Sequence, residues 1–131
     1  MSSSTAGFAD VDTPALLLDL DRVERNVGRY QSAADAAGRA LRPHSKAHKN
    51  PVLAQRQIAR GAVGICCAKT GEAEVMVAGG IGDILVTTPV TGALKIRRLV
   101  TIARTARLSV VVDDAANIAE LTSAARASGV T

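Results

Sequence analysis

Aromatic side chains are nearly missing from this sequence: among 131 residues there is no Trp, one Tyr and one Phe. Reading single-stranded bases by stacking needs several aromatic platforms. That absence excludes a nucleic-acid partner in spite of a net charge of +4, and the basic residues are scattered over several predicted helices. The charge instead suits anionic small molecules, phosphates included. Cysteine is scarce too. Cys66 and Cys67 are adjacent, and neighbours in a strand point to opposite faces, so a disulfide scaffold is excluded and a reducing compartment is implied. Two cysteines alone do not make a zinc site. No apolar run is long enough for a membrane span. Met1–Ala9 is small and polar, without the basic and apolar regions of a signal peptide, so a cytoplasmic location is expected.

What the sequence does hold is aliphatic. Apolar residues make up 47% of it, so a core must be assembled from Ala, Val, Leu and Ile. Residues 1–12 read as a flexible arm ahead of a single unit over 13–131. Ala15–Leu20 reads as a strand, and Asp21 with Glu24 three residues later has capping-box character for the helix that follows. Further apolar runs begin near residues 41, 62, 83 and 108, each followed by a helical pattern. Gly38, Gly61, Gly79-Gly80 and Gly129 close the helices, and Asn50-Pro51, Thr70, Thr91 and Asp114 open them. Lys95, Arg97, Arg98 and Arg104 read as the solvated face of the helix after Thr91.

Short apolar strands alternating with helices predict an α/β fold with a parallel sheet, either doubly wound or a (β/α) barrel. Gly79-Gly80-Ile81-Gly82 follows a helix and precedes a strand, the reverse of the order a dinucleotide fingerprint needs. A complete eight-unit barrel takes about 250 residues. The chain reads as the N-terminal half of one, with two open strand edges.

The chemistry is concentrated in Arg42-Pro43-His44-Ser45-Lys46-Ala47-His48-Lys49-Asn50, which contains both histidines of the chain. It lies at the end of a predicted strand, Leu41–Lys46, and just before the helix opened by Asn50-Pro51. Ligands of α/β folds bind at the C-terminal ends of strands. Strand alternation directs Arg42, His44 and Lys46 one way and Pro43 and Ser45 the other. A lysine beside other cations, partly out of water, has the lowered amine pKa that carbonyl condensation requires. A solvated loop would have the same composition. Asp113, Thr87 and Thr88 also end strands on this side, where an Asp is also a common helix cap.

Three runs carry a resemblance: Thr13-Pro14-Ala15-Leu16-Leu17-Leu18-Asp19-Leu20-Asp21, then Arg42-Pro43-His44-Ser45-Lys46-Ala47-His48-Lys49, then Gly64-Ile65-Cys66-Cys67-Ala68-Lys69-Thr70-Gly71-Glu72-Ala73. In order, and over essentially all of 13–131, they resemble the D-threonine aldolase and D-serine dehydratase-like group. These are fold-type III enzymes that use pyridoxal phosphate and share an N-terminal barrel with alanine racemase. The resemblance implies a partial TIM-like (β/α)8 barrel, the N-terminal half of an alanine-racemase-type barrel.

It also implies that Lys46 bonds covalently to pyridoxal phosphate, with Arg42 and His44 flanking the cofactor. For those two, hydrogen bonding between neighbouring strands is the alternative. Lys49 is left a backbone or surface role. The implied activity is a lyase reaction on β-hydroxy-D-amino acids, foremost retro-aldol cleavage to glycine and an aldehyde. D-serine dehydratase, amino-acid racemase and a non-catalytic homeostasis protein that binds the same cofactor are the alternatives. A divalent metal belongs to the group, but its ligands, the phosphate-binding loop and a second β-rich domain are expected beyond residue 131. The expected partners are a small D-amino acid and a second copy in a homodimer, with no membrane. On its own, this stretch is expected to have little or no activity.

Overall fold

The computed structural model describes residues 10–130. Helices α1 (Leu20–Ala36), α2 (Pro51–Ala59), α3 (Thr70–Ala78), α4 (Ala93–Ala103) and α5 (Ala115–Ala127) alternate with strands β1 (Ile65–Cys67), β2 (Asp83–Val86) and β3 (Arg107–Val110). The strands form a parallel sheet in the order β1-β2-β3. The segment before β1 joins it through the bridge of His44 to Cys66, with the Pro43 carbonyl accepting from Cys66 N–H at 2.7 Å.

The strand order and the burial both fit a barrel wall. Right-handed crossovers that always step in the same direction put every helix on one face of the sheet. A doubly wound sheet would need the order to reverse. Burial agrees. Ile65, Cys67, Ile84 and Val86 are fully enclosed and pack with Ala73, Met76, Ile81, Leu99 and Ile102. The alternate residues Cys66 and Leu85 are half-buried, and Ser109 is exposed. The sheet therefore has a core face under the helices and an open inner face, as in a barrel wall. Each large aliphatic side chain enclosed on the core face contributes about 1.5–3 kcal/mol.

The helix starts follow local chemistry. Asn50 Oδ1 accepts from the N–H groups of Val52 and Leu53 at 2.8 and 3.3 Å, with Pro51 in the first turn. Asp114 does the same for Ala116 and Asn117 at 2.6 and 3.3 Å. Gly38 and Gly129 sit just past helix ends at φ of 62° and 67°, a conformation that penalises a Cβ.

Four expectations are corrected, one of them the start of α4, whose cap is Gly92 and not Thr91. Ala15–Leu20 is not a strand among the described residues: helix α1 begins at Leu20, and its cap is Asp19, not Asp21, accepting from Arg22 N–H at 3.0 Å. The extended run finds no neighbouring ladder to satisfy its backbone, so Asp19 is available to cap. Thr70 is the first residue of α3 and not its cap. Lys69 holds that position without a side-chain bond. Finally, the strand expected over Leu41–Lys46 shrinks to the bridge at His44, and the chain then enters a one-turn 3₁₀ helix, Ser45–Ala47. Pro43 has no N–H to offer a ladder, which weakens pairing here. Most of the expected arm over 1–12 lies outside the described residues.

Candidate active site

The strand register sorts the inner face into rows. His44, Cys66, Leu85 and Ser109 are partners across the sheet. Two residues earlier in each strand, period-two alternation puts Arg42, Gly64, Asp83 and Arg107 on the same face. Thr87 lies beyond the row of His44, at the C-terminal end of β2.

The early row is a charge cluster. Arg42 Nη1 donates to Asp83 Oδ1 at 2.8 Å and sits 3.4 Å from the Asp83 carbonyl. Arg107 stands 3.9 Å from the other Asp83 oxygen. Gly64 leaves the space: a Cβ there would collide with the Arg42 guanidinium and come within 2.7 Å of the Asp83 carbonyl. Arg42, expected to flank a cofactor, is thus held at the opposite end of the strands, in the hydrogen-bonded alternative.

The late end is organised by His44. Its backbone is extended, and it caps the 3₁₀ turn that follows. Nδ1 accepts from the Lys46 N–H at 3.1 Å. Nε2 lies 3.1 Å from Thr87 Oγ1, which donates to the Cys67 carbonyl at 3.2 Å. Burial lowers the His44 pKa from its ordinary 6.5, the Lys46 charge adds to this, and Glu72 opposes both. Ser45 points the other way, as alternation predicts. It is fully buried and donates to the Cys66 carbonyl at 3.0 Å. Burial raises the pKa of both thiols, so neither cysteine is an activated nucleophile.

Lys46 is exposed, in the turn at the sheet mouth. Its amine has no ion-pair partner among the described residues. Lys49 differs: its Nζ is 3.5 Å from Glu72 Oε1, and its backbone is left-handed at φ 49°. Burial pushes the Glu72 carboxyl up, but the Ala68 N–H and the Lys49 charge outweigh it and hold the group below its ordinary value. Glu72 Oε2 accepts that N–H at 2.7 Å, closing the loop from β1 to α3. A carboxylate three residues past a helix cap is the sequence signal for such a role. Beside this loop is a cavity of about 590 Å³ lined by Lys49, Lys69, Thr88, Lys95 and Arg98, among others. Lys46 lies outside it. Asp113, the other strand-end acid, is exposed, and its neighbour Asp114 makes the cap. Among the described residues, no three His, Cys, Asp or Glu side chains gather as a metal site, and no helix is long and apolar enough to cross a membrane.

A pyridoxal cofactor requires an accessible primary amine that no carboxylate occupies. Lys46 fits this requirement, as Lys69 and Lys95 do, whereas Lys49 has Glu72 beside its amine.

Known proteins are similar to this chain in sequence and in fold. D-threonine aldolase of Arthrobacter sp is 49% identical over 117 residues, covering 89% of this chain and 31% of the aldolase. The 3-hydroxy-D-aspartate aldolase of Paracoccus denitrificans is 43% identical over 123 residues, covering 92% and 32%. The crystal structure of D-threonine aldolase from Filomicrobium marinum superposes with a TM-score of 0.92 at 50% identity, covering 94% of this chain and 33% of that one. The chain spans about a third of the length of these relatives. The family of the alanine racemase N-terminal domain matches residues 18–131. This chain belongs to the alanine racemase N-terminal domain family.

Proposed function

We propose that this chain is the cofactor-carrying part of a pyridoxal-phosphate lyase that cleaves β-hydroxy-D-amino acids to glycine and an aldehyde. The observation that carries the reading is the position of Lys46, an amine without a carboxylate partner on a held turn at the strand-end mouth of a parallel sheet. The similarity to two aldolases supports the reaction class.

When bound, pyridoxal phosphate supplies a ring that spreads the negative charge developing on the substrate. This chain contributes the amine that carries it. The turn orients that amine, and burial together with the Lys46 charge lowers the pKa of the neighbouring His44 ring.

The test uses the full-length protein loaded with pyridoxal phosphate and reduced with borohydride. Peptide mass spectrometry is expected to find the pyridoxyl group on Lys46, and D-threonine is expected to yield glycine. Label on another lysine, or none, would overturn the reading. Ammonia release from D-serine without glycine from D-threonine would replace the aldolase with the dehydratase.

A further inference from the structure

Hydrogen-bond chemistry alone fixes the proton on the His44 ring. The Lys46 backbone N–H can only donate, so Nδ1, 3.1 Å away, carries no proton. The Cys67 carbonyl can only accept, so the Thr87 hydroxyl proton points to it. The Thr87 oxygen then accepts from His44 Nε2–H at 3.1 Å. One chain of bonds, from the Cys67 carbonyl through Thr87 and His44 to the backbone of Lys46, joins three neighbouring segments. It has one consistent arrangement, a neutral ring protonated at Nε2.

We propose that His44 and Thr87 are positioning residues that clamp the backbone turn presenting the Lys46 amine, with Thr87 selecting the ring tautomer that His44 needs to hold it. The idea rests on the role of Lys46 given above. His44 acts here through the turn and not by contact with a reacting atom.

The same chain shows what each half of the clamp does. His48 Nδ1 accepts from Asn50 N–H at 3.0 Å, the same bond to the second residue on. Its Nε2, however, is buried without a partner among the described residues. Asn50 makes the equivalent bond to Val52 N–H with Oδ1, at 2.8 Å. An asparagine can therefore replace the acceptor half of a histidine in this backbone geometry. Only at His44 is the far side of the ring also held.

This defines the experiment, on the full-length protein loaded with pyridoxal phosphate. His44→Asn keeps the acceptor for Lys46 N–H and is expected to stay within about fivefold of the parent in kcat/KM, while His44→Leu falls by about fiftyfold or more. Thr87→Ser keeps the hydroxyl and stays near the parent; Thr87→Val falls by about tenfold. Nitrogen NMR of labelled histidine, assigned by its loss in His44→Asn, is expected to show one Nε2-protonated ring in the parent and, in Thr87→Val, where a ring without its Nε2 partner swings away from the Lys46 N–H, a mixture of tautomers. If His44→Asn is as poor as His44→Leu, the ring itself touches the chemistry and the clamp is wrong. A single unchanged tautomer in Thr87→Val overturns the part given to Thr87. The NMR signature does not depend on cofactor chemistry. A fixed tautomer with no pyridoxyl label on Lys46 would sink the proposed function and leave the clamp standing.

Discussion

The two ends of the inner sheet face are built on opposite principles. At the strand starts, Arg42, Asp83 and Arg107 answer one another with charge, and a glycine makes the room. At the strand ends, a neutral histidine and a threonine hold a turn whose lysine has no carboxylate partner among the described residues. The first arrangement satisfies its charges and leaves nothing to react. The second leaves the Lys46 amine without a carboxylate and uses its hydrogen bonds for orientation. Barrel enzymes divide stability and chemistry between the same two ends.

Breaking the reactive end is expected to have the largest effect. Lys46→Ala in the full-length protein removes covalent cofactor retention and lowers kcat/KM by on the order of a thousandfold or more. Lys49→Ala, which loses only an ion pair to Glu72, changes kcat/KM by less than about tenfold. Steady-state kinetics on the two variants checks the contrast. Equal losses would erase the distinction between the lysines.

At the strand-start end the currency is stability, not rate. Gly64→Ala forces a Cβ into the Arg42 guanidinium and the Asp83 carbonyl, and is expected to cost about 3 kcal/mol in urea unfolding. Asp83→Asn leaves Arg42 facing a neutral amide. The pair is about a quarter exposed, 25% and 24%, so solvent screening reduces the loss to about 2 kcal/mol. Neither variant should disturb the His44 tautomer, because that network shares no atom with the ion-pair row.

The smallest effect is a pH dependence. An unfolded histidine titrates at about 6.5. Burial, helped by Lys46 and opposed by Glu72, lowers His44 below that value in the fold. The unfolded chain therefore binds the proton first as pH falls. The contribution of His44 is complete above 6.5 and is lost as pH drops from there through the lower folded value. His44→Asn removes this titration, so its unfolding free energy should fall less than the parent's across that window.

Much of this was legible from residue order. Asn50-Pro51 and Asp114 fix helix starts by local hydrogen bonds, and Gly38 and Gly129 fix ends by a backbone conformation that side chains resist. Ser45 turns away from His44 because neighbours alternate up to the end of the extended backbone. The misreadings share a cause. Ala15–Leu20 is as apolar as a strand, but a strand needs a neighbour, and apolarity does not supply one. Leu41–Lys46 seemed to continue to the lysine, yet Pro43 weakens the ladder and His44 captures the next N–H but one. The early fate of Arg42 was hidden because its partner, Asp83, is forty-one residues away.

By itself, then, the sequence determined the alternation of strands and helices, the caps at Asn50 and Asp114, and Lys46 as the lysine on which the chemistry was expected to depend. Those are consequences of short-range sterics and hydrogen bonding. That Lys49 meets Glu72, which ring nitrogen carries a proton, and which end of the sheet binds its charges to one another were decided only by the tertiary structure. Glu72, Thr87 and Asp83 reach their partners through register and burial, and neither exists until the strands lie side by side.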